Sequence, residues 1–83
     1  MARGVAFTDQ AKADLRAVDQ QTALQILRTV ARFAQSEEGN VKRLQGTHPP
    51  LYRLRTQDHR VFFRDLGHSI EITRIRNRRD AYR

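Results

Sequence analysis

Residues 51–83 read LYRLRTQDHRVFFRDLGHSIEITRIRNRRDAYR, and their pattern decides how the chain folds. Tyr52, Leu54 and Thr56 alternate with Arg53, Arg55 and Gln57, and Val61 and Phe63 oppose Arg60, Phe62 and Arg64. A period of two places successive side chains on opposite faces of a strand. Asp58-His59 and the DLGH sequence at residues 65–68 fit tight turns. We therefore predict three strands that form an antiparallel meander.

The third of these strands changes phase near its end. Ile70 and Ile72 fall on one face, whereas Ile75 falls on the other. A β-bulge accounts for this change, and so does burial of both faces near the end of the strand. The sequence leaves these two interpretations open.

The first half of the chain is interpreted as the scaffold behind these strands. Residues 5–7 are a short apolar run and predict an edge strand, after which Thr8 fits a helix N-cap. Apolar residues then recur at helical spacing and predict helices at residues 10–18 and 20–35, the second capped by Asp19. The connection GNVKRLQGTHPP, residues 39–50, is expected to be irregular because glycine and paired prolines disfavour regular structure.

These elements predict a single α+β domain over residues 1–83. Its order is β-α-α-β-β-β, with a helical hairpin packed on one face of a small antiparallel sheet. A chain of 83 residues supports one modest core, and the absence of cysteine excludes disulfides and thiolate metal sites. No apolar run reaches the length of a membrane span, and no signal-peptide pattern is present. A cytoplasmic protein with no membrane partner is expected.

The positive charge of the chain is concentrated in its second half. The formal net charge is +7 at pH 7. Residues 1–41 carry five Lys or Arg and five Asp or Glu, whereas residues 42–83 carry eleven and four, so the whole excess lies in the second half. Such segregation is typical of a surface that binds a polyanion. Nucleic acid, or an acidic protein partner, is therefore the expected ligand class.

Four ordered motifs resemble the RelE/ParE superfamily of bacterial toxin–antitoxin toxins, and in particular its RelE-like branch. They are KRLQG from residue 42, LYRLR from residue 51, DHRVFFR from residue 58 and RNRRDAYR from residue 76. The resemblance covers nearly the whole chain and implies the RelE-like fold. It also implies a type II toxin that enters the ribosomal A site and cleaves mRNA there, without metal or cofactor. The implied partners are the ribosome, mRNA and a cognate acidic antitoxin.

The same resemblance assigns the site residues of an endoribonuclease. Arg60 and a C-terminal arginine are expected to clamp phosphate, because guanidinium presents a planar fork to phosphate oxygens. The catalytic residues expected from the motif match are Arg53, Arg55, Arg60, Arg78, Arg79 and Tyr82. The further cations expected to contact RNA are Lys42, Arg43, Arg64, Arg74, Arg76 and Arg83.

The identity of the general base stays open. Asn77 stands where relatives often have histidine, and His59 stands where they often have tyrosine. Arginine is a poor base because it stays protonated, so Arg53 and Arg55 can stabilise charge but are poorly suited to accept a proton. The candidates for the base are His59, His68 and Tyr82.

Other residues have an ordinary interpretation beside a functional one. Of Phe62 and Phe63, one is expected to face the core, and the other either packs on the sheet or stacks on a base. Arg3, Arg16 and Arg28 are interpreted as solvated charges that ribosomal RNA could also contact.

Two other functions remain as alternatives. A ParE-like toxin shares the fold but poisons DNA gyrase through protein contacts. The arginines at residues 60, 78 and 79, Tyr82 and a short helical hairpin favour the RelE-like branch over it. A non-catalytic RNA-binding module, or an inactive toxin homologue, is the other alternative, because Asn77 replaces the frequent histidine.

Overall fold

Two helices and five strands make up the part of the chain that the computed structural model describes, residues 3–77. In chain order they are β1 (Gly4–Phe7), α1 (Asp9–Arg16), α2 (Gln20–Ser36), β2 (Asn40–Arg43), β3 (Tyr52–Arg55), β4 (His59–Asp65) and β5 (Ser69–Asn77). The predicted α+β fold, with helices packed on a sheet, is confirmed. Neither helix among these residues is long and apolar enough to cross a membrane.

The five strands form one sheet in the order β1-β5-β4-β3-β2. The predicted meander of β3, β4 and β5 is antiparallel, as expected. The sheet is nevertheless mixed, because β1 pairs in parallel with β5. The prediction of an irregular segment at residues 39–50 is wrong for β2, which pairs antiparallel with β3. Local sequence could not reveal this strand, since its stability comes from long-range pairing with β3 and from packing of Val41 on the core.

The core lies between α2 and one face of the sheet. Phe63 is at its centre, with its ring centroid 5.3 Å from that of Phe33 and 5.5 Å from that of Tyr52. The other buried apolar residues of the cluster are Ala11, Ile26, Val30, Leu54, Val61, Ile70, Ile72 and Ile75. One face of each meander strand is thus buried, as the alternation predicts.

A β-bulge at Thr73 explains the change of phase in β5. Phe62 pairs with Arg74 and Phe63 with Ile72, so Thr73 is the extra residue between them. The Thr73 hydroxyl donates to the Phe62 carbonyl at 3.2 Å. Of the two interpretations left open by the sequence, the bulge is therefore correct.

Thr8 connects the bulge to the start of α1. Its hydroxyl oxygen accepts a hydrogen bond from the Ala11 amide at 3.1 Å, which confirms Thr8 as the N-cap. The same hydroxyl donates to the Thr73 carbonyl at 3.0 Å. Asp19 caps α2 as predicted. The helix bounds also agree closely with prediction, except that α1 ends at Arg16 and Val18 packs on the core from outside it.

Arg3 joins three elements and is not the solvated charge that the sequence suggested. Its guanidinium lies 2.6 Å from carboxylate oxygens of both Glu37 and Asp65, and 5.5 Å from the ring centroid of Phe33. Glu37 adopts the left-handed conformation after α2, which is uncommon for a residue other than glycine. The ion pair with Arg3 helps to hold it there. The start of β1, the end of α2 and the end of β4 are thereby held together.

Ile26→Asp should unfold the domain, because it would bury a charge that has no partner. Ile26 is 1% exposed, whereas Leu24 on the same helix is 46% exposed, so Leu24→Asp is a matched control. An unpaired charge in a core costs several kcal/mol, which is comparable with the whole stability of a small domain. Urea denaturation followed by circular dichroism measures both variants. Equal midpoints for the two would contradict the position of Ile26 in the core.

Acidification should weaken the contacts of Arg3. The hydrogen bond from the Gly67 amide, and then that from Arg3, lower the pKa of Asp65 in the folded state. Such a carboxyl stabilises the fold above its unfolded pKa of about 3.9, and this contribution is lost as the pH falls through the folded pKa.

Asp65→Asn should therefore reduce the loss of stability between about pH 5 and pH 2, measured as urea midpoints. Asp58→Asn, at an exposed position in the β3–β4 turn, is the control and should keep the wild-type pH profile. An Asp65→Asn profile parallel to that of wild type would contradict this role of Asp65.

Candidate nucleic-acid interface

Seven cations share the face of the sheet that is turned away from the helices. Strand register places them there, because each lies opposite another member or an even number of residues along its strand from one. We call this surface the arginine face, and its members are Lys42, Arg53, Arg55, Arg60, Arg64, Arg74 and Arg76. Among residues 3–77, Glu71 is the acidic residue that register places on the same side, opposite Arg64.

A tight turn brings three of these arginines into one row. The Thr56 amide donates to the His59 carbonyl at 2.9 Å, and the Thr56 hydroxyl donates to the same oxygen at 3.3 Å. This turn sets Arg55 opposite Arg60, which in turn lies opposite Arg76. Side chains directly opposite each other in a sheet begin about 5 Å apart. Three guanidinium groups can thus reach one phosphate group from neighbouring strands.

The bulge at Thr73 is what allows β5 to contribute to this row. If the alternation of Ile70 and Ile72 continued without interruption, Arg74 and Arg76 would point to the core. The extra residue reverses the phase, so Ile75 is buried and both arginines face outward. Beyond the end of β1, the Asp14 carboxylate accepts a hydrogen bond from the Ile75 amide at 2.9 Å. Asp14 thus replaces β1 as the partner of the β5 edge.

The arginine face contains more positive charge than its ion pairs balance. Arg64 lies 3.5 Å from Glu71, and Arg74 lies 3.9 Å from Asp14. Exposed pairs of this kind contribute about 0–1 kcal/mol. Within residues 3–77, no ion pair is formed by four other members, Lys42, Arg53, Arg55 and Arg76. Like charges on facing strands repel, and a bound polyanion would relieve that repulsion.

The remaining predicted contacts do not all lie on this face. Arg43 pairs with Tyr52, whose side chain packs on the core, so Arg43 is on the helix side of the sheet. The predicted site residues Arg78, Arg79, Tyr82 and Arg83 lie outside the described residues. Lys42, Arg53, Arg55, Arg60, Arg64, Arg74 and Arg76 are the predicted contacts that the fold brings together.

The two described candidates for the general base lie at opposite ends of β4. His59 precedes Arg60 and pairs with Asn77, the position where relatives often have histidine. It lines a cavity of about 470 Å³ together with Asp14, Arg74, Arg76 and Asn77. His68 lies in the β4–β5 turn, beyond a strand of seven residues, which corresponds to about 20 Å. Of these two histidines, only His59 adjoins the arginine row, and alternation turns its side chain to the face of β4 opposite Arg60.

Two features of the site were not recognised from the sequence. Asp14 received no role in the sequence analysis, and its hydrogen bond with Ile75 joins residues that are 61 positions apart. Leu44 and Leu51 were not linked to the basic surface, although with Phe62 they line a groove on the arginine face. No local signal in the sequence identifies either feature, because both depend on how distant segments pair. Within residues 3–77, no three His, Asp or Glu side chains cluster as metal ligands do.

Arg55→Gln should stabilise the fold at low ionic strength, because it removes a cation directly opposite Arg60. Relief of one like-charge contact in a sheet is worth about 0.2–1 kcal/mol. Thermal unfolding at low salt measures the gain, which should shrink in about 0.5 M NaCl. Arg28→Gln, at an exposed position on α2, is the control. An equal gain from both substitutions would mean that only net charge matters, and not the arrangement of the arginine face.

The chain is similar to known toxins both in sequence and in fold. Residues 5–82 match the family described as ParE toxin of type II toxin–antitoxin system, parDE. The chain is similar in structure to the RelE–RelB complex from Pyrococcus horikoshii OT3, with a TM-score of 0.73 and 24% identity over 94% of this chain and 97% of that one. It is also similar to the RelB–RelE complex from Methanococcus jannaschii, with a TM-score of 0.73 and 22% identity over 93% and 94% of the two chains.

A third similar structure is the RelBE2 toxin–antitoxin complex from Mycobacterium tuberculosis, with a TM-score of 0.82 and 18% identity over 94% of this chain and 93% of that one. At identities below 25%, these TM-scores show that the chains share a fold. Comparison with curated proteins gives no significant match. The family match spans almost the whole chain, and the chain therefore belongs to the ParE toxin family of type II toxin–antitoxin systems, within the RelE/ParE superfamily.

Proposed function

We propose that this toxin is a ribosome-dependent endoribonuclease that cleaves mRNA in the ribosomal A site and so inhibits translation. The observation that carries the proposal is the row formed by Arg55, Arg60 and Arg76, with Arg53 beside it. Guanidinium groups on three adjacent strands suit an anionic ligand, because each presents a planar fork of N–H donors to phosphate oxygens. A phosphate undergoing transfer needs such a cluster.

The chemistry of the proposed reaction assigns a role to the arginines. The ribose 2′-oxygen attacks the adjacent phosphorus, and the bond from phosphorus to the 5′-oxygen breaks. Negative charge grows on the phosphoryl oxygens of the pentacoordinate transition state, where preorganised cations stabilise it. The products are a 2′,3′-cyclic phosphate and a 5′-hydroxyl. No step requires a metal ion, because arginines supply the positive charge.

Proton transfer is the part that arginines cannot perform. A base must take the proton of the 2′-hydroxyl, and an acid must protonate the departing 5′-oxygen. His59 is the better supported of the two described histidines, because it lines a cavity with Arg74 and Arg76, two members of the arginine face. Among residues 3–77, no side chain is well placed both to transfer the proton and to hold the 2′-oxygen in line with the scissile bond. We therefore assign to the ribosome the task of holding the mRNA in line for attack.

An acidic antitoxin is the proposed regulatory partner. The similar structures from Pyrococcus horikoshii and Methanococcus jannaschii are complexes of RelE with RelB. The arginine face gives this chain a surface that an acidic polypeptide can cover. Such a partner would protect the mRNA of the producing cell, and the proposed site of action is accordingly the cytoplasm.

A gyrase poison is the second candidate, because the matching family is described as ParE toxin. A toxin of that kind would act through protein contacts and would have no need of phosphate clamps. Its activity should survive substitution of single residues in the arginine row. The two candidates therefore differ in one measurable property, which is RNA cleavage on translating ribosomes.

Arg60→Ala should slow single-turnover cleavage of ribosome-bound mRNA by about 100-fold or more, as loss of one preorganised transition-state donor typically does. Primer extension on mRNA from a purified translation system measures the rate. Arg28→Ala, at an exposed position on α2, is the matched control and should cleave at the wild-type rate. Cleavage should also persist in an EDTA concentration that leaves the ribosomes intact. The fragments should carry a 2′,3′-cyclic or 3′-phosphate and a 5′-hydroxyl.

Two outcomes would contradict the proposal. If Arg60→Ala cleaves as fast as wild type, the arginine row does not clamp the scissile phosphate. If the wild-type chain cuts no mRNA on translating ribosomes but inhibits DNA supercoiling by gyrase, the second candidate replaces the first.

A further inference from the structure

An apolar groove lies within the arginine face. Leu44, Leu51 and Phe62 line it together with Thr73, and arginines at positions 64, 74 and 76 border it. Its volume is about 400 Å³. The groove is separate from the cavity at His59, although Arg74 and Arg76 border both. The proposed cleavage chemistry uses none of its apolar residues.

Phe62 is the centre of this arrangement. Its cross-strand neighbours are Arg53 on β3 and Arg74 on β5. Along its own strand, Arg60 and Arg64 are two residues away and share its face. Phe63, the adjacent residue, fills the core and is 1% exposed. Phe63 therefore fills the aromatic position in the core, and Phe62 is not needed there. The Phe62 ring is half-buried on the outer face and has a cation on each of four sides.

We propose that this groove binds one base of single-stranded RNA, which stacks on the Phe62 ring while the flanking phosphates contact Arg53 and Arg74. The inference rests on the proposed function and specifies where its RNA substrate is held. Stacking of a base on an aromatic side chain is a common mode of single-strand recognition and works together with a positively charged surface that follows the backbone. Both components are present here on adjacent strands.

The repeating arrangement of ring and cations favours RNA over an acidic peptide. Each nucleotide brings a flat π face and a phosphate, and a strand crossing the sheet at Phe62 meets an aromatic ring between two cations. The existing contacts at 3.5 Å between Arg64 and Glu71, and at 3.9 Å between Arg74 and Asp14, involve half-exposed arginines. Such pairs are weak enough to be exchanged for phosphate. An acidic partner that inserts an aliphatic side chain is the competing occupant.

The groove can both stack on a base and donate hydrogen bonds to its edge. Its polar lining consists of the three arginines and Thr73, and the Thr73 hydroxyl already donates to the Phe62 carbonyl. Stacking alone tolerates any base, whereas guanidinium N–H groups donate to purine acceptors such as guanine O6 and N7. Purines should therefore bind more tightly than pyrimidines at this position.

Ribosome-free binding tests the groove independently of cleavage. The probes are fluorescent 2′-O-methyl tetranucleotides, which cannot be cleaved: one intact, and four that each lack one base. Phe62→Leu should weaken binding of the intact probe by roughly 5- to 150-fold, the range expected for loss of one stacked base. It should not weaken binding of the probe that lacks the base held in the groove. Phe62→Tyr should restore binding, because it keeps the aromatic face.

Leu66→Ala is the control, since Leu66 is 51% exposed in the β4–β5 turn and away from the groove. Thermal unfolding checks that each variant is folded. If Phe62→Leu binds the intact probe as tightly as wild type, or weakens all five probes equally, the groove is not a base site. In that case, loss of a purified acidic antitoxin's binding to Phe62→Leu would assign the groove to the protein partner.

Failure of this inference and failure of the proposed function give different results. A Phe62-dependent affinity for the intact probe, without mRNA cleavage on ribosomes, would support the base site and contradict the proposed nuclease activity. mRNA cleavage by the wild-type chain, together with unchanged probe binding by Phe62→Leu, would support the nuclease activity and contradict the base site.

Discussion

The bulge at Thr73 is the constraint on which the rest of the surface depends. A strand with strict alternation cannot bury Ile72 and Ile75 together, since they are three residues apart. One extra residue allows both to reach the core, and it turns Arg74 and Arg76 outward at the same time. The core and the arginine face are thus consequences of one irregularity in backbone pairing.

The bulge is held by contacts on both sides of β5. Thr73 donates to the Phe62 carbonyl on β4, and Thr8 donates to the Thr73 carbonyl from the start of α1. Asp14 then accepts from the Ile75 amide, where β1 no longer pairs with β5. Backbone groups that the bulge and the short β1 would leave unpaired are in this way hydrogen-bonded by α1 and its cap. The helix is therefore part of the support of the site as well as of the core.

The sequence predicted the meander well because its information is local. Alternation in β3 and β4 identified which side chains are buried, and Thr8 and Asp19 were correctly recognised as helix caps. Strand β2 was missed, since its sequence differs little from a loop and its stability comes from pairing with β3. The role of Arg3 was missed for the same reason, because its two carboxylate partners lie 34 and 62 residues away.

The site was predictable in composition but not in arrangement. The arginines could be counted and placed on strands, and alternation alone set Arg53, Arg55 and Arg60 on an outer face. Whether β5 adds to that face depended on the position of the bulge, which the sequence left open. The groove around Phe62 depended on β2 and on Leu51, which join the surface through pairing that no local pattern reveals.

The most direct measurement is the response of arginine side-chain Nε–Hε resonances to an uncleavable RNA tetranucleotide, observed by NMR in the isolated protein. If the arginine face binds phosphate, addition of the tetranucleotide should shift the resonances of Arg53, Arg55, Arg60, Arg74 and Arg76. The helix arginines Arg28 and Arg32 should not respond, because both are exposed on α2, on the other side of the sheet. Shifts confined to Arg28 and Arg32, with the β3, β4 and β5 arginines unchanged, would contradict the assignment of the arginine face as the RNA-binding surface.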